Sequence, residues 1–341
     1  MEVDIAGVRY EWVDNWARAP DPEITEVSWP HSAIVWSGRR ELWTFHPAKS
    51  EAIAFDSDGR FLRAVPSPLT EAHGITLVEE RGEQFLWMAD ASRKRGPENN
   101  YRAPDDAPHS AVVKSDLAGN VVQSLSPPPH PAYQSGVYRP TWVAVNEERF
   151  GGNGDIWVAD GYGESLVHRY RADGQFLSTL TGAEGAGRFR GPHLAFLDTR
   201  RAEPELYIAD RSNSRIQVYD TEGRFRRVVG AGTLSSPTAF ARDGDRLLVM
   251  QYYPPRLVAL DGQDRLLALA GENLSPILQP GFPFVRGEDG KPATPKNMGA
   301  GKFGVPHSIA IDDRGNLYFA EVVFGSRFTK LRRRGETPDP E

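Results

Sequence analysis

Between Gly191 and Gly230 short apolar runs alternate with clusters of polar turn residues. The runs His193–Leu197, Leu206–Ala209, Ile216–Tyr219 and Phe225–Val229 are four or five residues long and rich in Val, Ile, Tyr and Phe. Such runs, bounded by Gly, Asp, Asn and Ser, predict four strands joined by tight turns. One small antiparallel sheet cannot bury both of its faces alone, so further copies must stack on it.

The copies are present. Pro140-Thr141-Trp142-Val143-Ala144-Val145 leads to Ile156-Trp157-Val158-Ala159-Asp160, and Pro306-His307-Ser308-Ile309 leads to Leu317-Tyr318-Phe319-Ala320-Glu321. Counted this way, six copies open at His31, His73, Thr141, His193, Thr238 and His307. Radial repetition of four-stranded sheets predicts an all-β, six-bladed β-propeller. The sixth copy has only three clear strands, and Val8–Val13 alternates upstream of the first. That N-terminal strand is expected to close the ring and remove the exposed edge. Length alone would suggest two domains, but repeat arrays run long as one unit, so 1–341 is read as one propeller domain. Two insertions, 92–108 and 272–302, are expected as loops at one mouth of the central channel. The tail after Leu331 is charged and Pro-rich and is expected to fray.

Composition adds limits. The 33 glycines and 27 prolines fit a fold built of turns. A net charge of −6 without a basic block does not suggest a nucleic-acid partner. There is no cysteine, hence no disulfide or thiol chemistry. No stretch approaches the roughly 18 apolar residues of a membrane span, and the N-terminus lacks a signal-like pattern. The expectation is a soluble, cytoplasmic protein with no membrane partner; the sequence is silent on oligomeric state.

Candidate chemistry follows from the repeat register. His73, His193 and His307 hold the same position in the second, fourth and sixth copies, with Thr141 and Thr238 between them. The first strand of a blade lines the channel, so residues from alternate blades stand a third of a turn apart and converge near the axis. Three neutral nitrogens with an open fourth position is the catalytic zinc arrangement. The competing explanation, that Pro-His is a local turn preference, suits one histidine better than three in strict alternation. His31 holds this position in the first copy by the same count, as a fourth ligand, a proton donor beside the metal or a structural residue. His46, at the end of the second strand of the first copy, is a second candidate proton donor. Asp90, Asp160 and Asp210 recur in register and are read as structural turn-makers. Trp142, Phe282, Phe284 and Phe303 are candidate apolar walls, with core packing the commoner use of such residues. Glu321 stands where the recurring Asp does and is read as structural or channel-facing.

The repeat Pro-His-Leu-Ala-Phe through Leu-Tyr-Ile-Ala-Asp-Arg-Ser-Asn-Ser-Arg-Ile-Gln-Val-Tyr-Asp resembles the NHL repeat. More narrowly, residues 5–332 resemble the lyase domain of peptidylglycine α-amidating enzymes, most strongly from Arg139 to Asp220. The resemblance implies a six-bladed propeller with zinc on His73, His193 and His307. It also implies that Tyr162 is an active-site tyrosine, acting as base or stabiliser of developing charge, and Arg211 an active-site arginine. Three positions depart from the family pattern. Pro47 follows His46 where the family has a catalytic arginine, Val305 replaces a methionine, and Ser308 replaces an acid that binds structural calcium. Lys49 is near but offers no planar fork; with Arg139 it joins Arg211 as a candidate for holding a substrate carboxylate. The expected activity is therefore a zinc-assisted elimination or hydrolysis on a small-molecule substrate, related to but distinct from peptide amidation. The alternatives are a non-enzymatic binding propeller and a calcium-dependent lactonase-like hydrolase. The lactonase needs inward carboxylates, which His and Thr do not supply.

Overall fold

The computed structural model describes residues 1–97, 100–102, 105–106 and 109–335. The tail beyond Gly335 and parts of the first insertion lie outside the described residues. Within them the chain forms six antiparallel sheets in chain order, as a six-bladed β-propeller. Blade 4, for example, runs Pro192–Asp198, Glu205–Asp210, Arg215–Asp220 and Phe225–Val229. The ring closes as expected: Val8–Val13 pairs antiparallel with Arg327–Arg333 of blade 6. A further strand, Glu2–Ile5, adds outside it, so blade 6 has five strands. Among the described residues no helix is long and apolar enough to cross a membrane.

Burial falls from the axis outward, and this explains the sequence pattern. Second strands such as Ile156–Asp160 are buried throughout, because blades cover both of their faces, and so they read as unbroken apolar runs. Fourth strands such as Phe61–Pro66 are half-exposed and alternate. At the middle of the second strands Trp43, Trp87, Trp157, Tyr207, Leu248 and Tyr318 are fully buried between blades. Each contributes about 2–3 kcal/mol by leaving water.

In blades 2 to 6 the residue three places after each of these fixes the start of its blade. Asp90 accepts the backbone N–H groups of Thr70 and Glu71 at 2.6 and 3.1 Å. Asp160 accepts from Arg139 at 2.7 Å, and Asp210 from Arg190 at 2.8 Å. Gln251 does the same for Ser235, and Glu321 for Gly304 and Val305. These backbone groups stand two or three residues before the blade's channel-lining residue, so the latch sets where that residue begins. Glu321 is thus a structural acid, also bonded to Arg327 and Thr329.

The structure corrects the register of blade 1. Trp43 pairs with Val35, as Trp157 pairs with Ala144. Counting back three residues gives Ser32 as the equivalent of Thr141, so His31 stands one place earlier. The Pro-His pair at 30–31 mimics the repeat opening. The first strand is also shorter than expected, Val35–Ser37. Residues 33 and 34 instead give their N–H groups to His73 O and Ser308 Oγ of the flanking blades. His46 then falls in the latch position of blade 1.

Asp210→Ala leaves the Arg190 N–H, Asn213, Arg215 and Gln217 without their buried acceptor. It should lower stability by about 3 kcal/mol, read as a shift of the urea midpoint at unchanged slope.

Candidate metal centre

Local distortion presents the histidines. His73 is an extra residue between the pairs Ala72↔Asp90 and Gly74↔Ala89. His307 is likewise skipped between Pro306↔Glu321 and Ser308↔Ala320, and the register also breaks at His193, between Pro192↔Asp210 and Ala195↔Ile208. A bulge re-aims a side chain out of the sheet, here into the channel. The ring is then held by the next blade. His73 Nδ1 donates to Thr141 O at 2.8 Å, His193 Nδ1 to Thr238 O at 2.9 Å and His307 Nδ1 to Ser32 O at 3.3 Å. A carbonyl only accepts, so each Nδ1 carries the proton and each Nε2 keeps its lone pair.

Those Nε2 atoms converge. His73 Nε2 and His307 Nε2 are 3.0 Å apart. Tyr162 Oη lies 3.2 Å from His73 Nε2 and 3.3 Å from His193 Nε2. Burial holds the imidazoles of His73 and His193 well below the usual range, and pushes His307 down to about 3. They are neutral near pH 7, so two lone pairs face each other with no proton between them. The edge of a tetrahedral zinc site with Zn–N near 2.0–2.1 Å is about 3.3 Å. The His73–His307 pair is near that spacing, and the His193 ring centre lies 4.8 and 5.2 Å from theirs. Three neutral nitrogens of fixed tautomer fit a zinc ion, and the carbonyl bonds behind them are the usual outer partners of such ligands. Trp142 lies 6.3–6.4 Å from all three rings and does not line the mouth-side cavity, so it closes the channel beneath them.

His31 is held differently. Its Nε2 is 3.2 Å from Tyr162 Oη, while its Nδ1 has no hydrogen-bond partner and faces Glu71 Oε1 at 3.7 Å. The ring nitrogens of His31, His73 and His307 lie within 4.8 Å of one another, so the geometry also offers this triplet to a metal. Burial, then the charges of the other histidines, lowers the His31 imidazole well below its usual value. Burial raises the Glu71 carboxyl to about 8, and Asp90 adds to that.

Tyr162 and Arg211 join the group: Arg211 Nη1 donates to Tyr162 Oη at 3.3 Å. His46 does not. Its Nδ1 accepts from the backbone of Ala48 and Lys49 at 3.0 Å, its Nε2 faces Asp21 at 3.4 Å, and it is absent from the cavity lining. Lys49 is bound to Asp21 at 2.6 Å. Arg139 donates to the carbonyls of Asp105 and Asp106 at 2.5 and 2.6 Å. Neither lines the cavity over the histidines. Phe303 is a core residue against Trp12 and Phe319.

That cavity has a volume of about 360 Å³ and is walled by Trp29, Tyr252 and Phe284, with Arg93, Arg95 and Arg211 as its cations. Sequence reasoning missed Arg93, Arg95, Trp29 and Tyr252. Three of these four could have been found from the repeat. Like Tyr162 and Arg211, they follow the latch residue of a second strand, and the turn after that strand rims the mouth.

No family model matches the chain. It is 28% identical over 220 residues to NHL repeat-containing protein 3 of Mus musculus, covering 62% of this chain and 58% of that protein. It is 26% identical over 299 residues to peptidyl-alpha-hydroxyglycine alpha-amidating lyase 1 of Drosophila melanogaster, covering 79% of this chain and 50% of that protein. The chain thus spans between half and three fifths of the length of these curated relatives. Among solved structures, streptogramin B lyase superposes with a TM-score of 0.53 at 11% identity over 95% of this chain and 98% of its own. Virginiamycin B lyase from Staphylococcus aureus does so with 0.53 at 13% identity over 95% and 99%. The solved structures share the propeller fold; the curated relatives carry the NHL and amidating-lyase resemblance seen in the repeats.

Gly74, beside His73, has no room for a methyl group: an added Cβ would stand 2.3 Å from Thr141 O and 2.8 Å from Trp142 Cα. Gly74→Ala must push blades 2 and 3 apart at the carbonyl that holds His73. It should cost about 1–3 kcal/mol in urea unfolding.

Proposed function

We propose that the protein is a zinc-dependent lyase, or a hydrolase using the same centre, acting on a small polar substrate. The substrate would present a hydroxyl or carbonyl oxygen to His73, His193 and His307. The observation that carries this reading is the convergence of three Nε2 lone pairs, each fixed by a carbonyl of the next blade, beneath Tyr162 and Arg211. The Drosophila relative, a lyase by its name, supports the reaction class. Zinc, when bound, supplies a Lewis acid that polarises the substrate oxygen.

The chain's own groups divide the remaining work. Tyr162 Oη takes the proton from the substrate hydroxyl. As a carbonyl forms, the bond from that carbon to nitrogen or oxygen breaks, and the leaving group needs a proton. His31 Nε2, 3.2 Å from Tyr162 Oη, can pass it on. Arg211 donates to the same phenol oxygen and holds a substrate carboxylate. The aromatic wall of Trp29, Tyr252 and Phe284 excludes water. His46, bonded elsewhere, has no part in this scheme.

The test is turnover of α-hydroxy amides and related hemiaminals by zinc-loaded protein, followed as release of the carbonyl product. Tyr162→Phe should lower kcat by about 10²–10⁴-fold. A Tyr162→Phe variant as fast as wild type removes Tyr162 from the chemistry. Absence of turnover across the panel with zinc bound would favour the binding-propeller alternative, for which the NHL repeat-containing relative is the supporting observation.

A further inference from the structure

The cavity over the histidines has more positive charge than one substrate carboxylate requires. Among the described residues three guanidinium groups line it, from Arg93, Arg95 and Arg211, and no Asp or Glu does. Arg211 lies deep, 3.3 Å from Tyr162 Oη. Arg93 and Arg95 come from the turn and insertion after the second strand of blade 2. The Arg93 guanidinium carbon stands 4.8 Å from the centre of the Tyr162 ring. Among the described residues Arg93 makes neither a hydrogen bond nor an ion pair. Among the described residues Arg95 stacks on Phe284 at 4.6 Å and donates one bond, to Tyr101 O at 3.1 Å. Its other donors remain for a ligand.

The position of Arg95 is built rather than incidental. Phe284, from the second insertion, packs on Trp29 at 4.2 Å. Tyr101, from the first insertion, donates to Val27 O at 2.8 Å. Arg286 lies 5.3 Å over the Tyr101 ring. The two insertions therefore meet and fix Arg95 at the mouth. Burial and the charge of Arg93 lower the Arg95 guanidinium below its usual range. Two like charges held together in a half-buried wall cost energy unless an anion lies between them.

We infer that Arg93 and Arg95 form a second anion subsite, and that the substrate is a small dianion. One acidic group lies at Arg211 beside the reacting carbon, and a second carboxylate or phosphate lies at the mouth. The fork of an arginine binds either group by paired N–H bonds. A cavity of about 360 Å³ suits a compact molecule of this kind. The inference rests on the proposed function only in seating the substrate hydroxyl at the histidines.

The experiment measures affinity by calorimetry at constant ionic strength for four 2-hydroxy acids that differ at C3. Lactate carries hydrogen there, malate a carboxylate, 3-phosphoglycerate a phosphate and 3-phenyllactate an apolar ring. Malate or 3-phosphoglycerate should bind the zinc-loaded protein at least about tenfold more tightly than lactate. Whichever of the two wins identifies the outer group. Arg93→Gln/Arg95→Gln should bring that ratio to within about twofold of one while lactate affinity changes little. Arg93→Gln alone breaks no hydrogen bond among the described residues, so it should lower the ratio with an unchanged melting temperature. Equal binding of lactate and both dianions overturns the subsite and leaves the proposed function standing. Phenyllactate binding as tightly as the dianions, or no binding by any of the four, also overturns it. A dianion preference that depends on Arg93 and Arg95, in a protein that neither holds zinc nor turns over substrate, would keep the subsite and reject the lyase.

Discussion

Each even-numbered blade holds its histidine against the next blade, by a hydrogen bond from the ring Nδ1 to the carbonyl that opens that blade's first strand. That bond explains the strict alternation in the sequence. An even-numbered blade supplies an imidazole and the next blade the carbonyl that orients it, and the accepting carbonyls belong to Thr141, Thr238 and Ser32. The same bond fixes the tautomer, so it decides which nitrogen faces the axis. A rotation of blade 2, 4 or 6 against the next would break it, and the site therefore depends on the ring being closed. Closure comes from the far end of the chain, where Val8–Val13 completes blade 6.

The latches below the histidines serve the same purpose. Asp90, Asp210 and Glu321 tie down the backbone just before His73, His193 and His307. The bulge that follows throws the ring into the channel. Position thus passes from a buried carboxylate to a backbone amide, then to a bulge, then to an imidazole. Trp142 closes the channel on one side, and the two insertions build the aromatic and cationic mouth on the other.

The fold was legible because its unit repeats. Six copies of a short-strand pattern, and Val8–Val13 completing the sixth, follow from periodicity alone, and the three alternating histidines follow from copy number. Glu2–Ile5 was missed because an edge strand carries no repeat to compare with. The one-residue offset of His31 was hidden because Pro30-His31 has the composition of a repeat opening, and register is decided by the pairing of Trp43 with Val35. His46 looked like a candidate proton donor, but its ring nitrogens are turned to local backbone and to Asp21. The repeat places Arg93 and Arg95 after the latch residue Asp90, at the mouth, but contacts between two insertions, invisible in the chain order, set their geometry.

The central claim is that His73, His193 and His307 hold one metal ion. Elemental analysis of the purified, untagged protein tests it most directly, beside His193→Ala and His31→Ala. The account predicts about one zinc per chain in wild type and in His31→Ala, and little in His193→Ala. Wild-type protein that holds no metal after zinc is offered and the excess removed would contradict it. So would a His193→Ala variant that keeps its zinc while His31→Ala loses it, since the ligands would then be His31, His73 and His307.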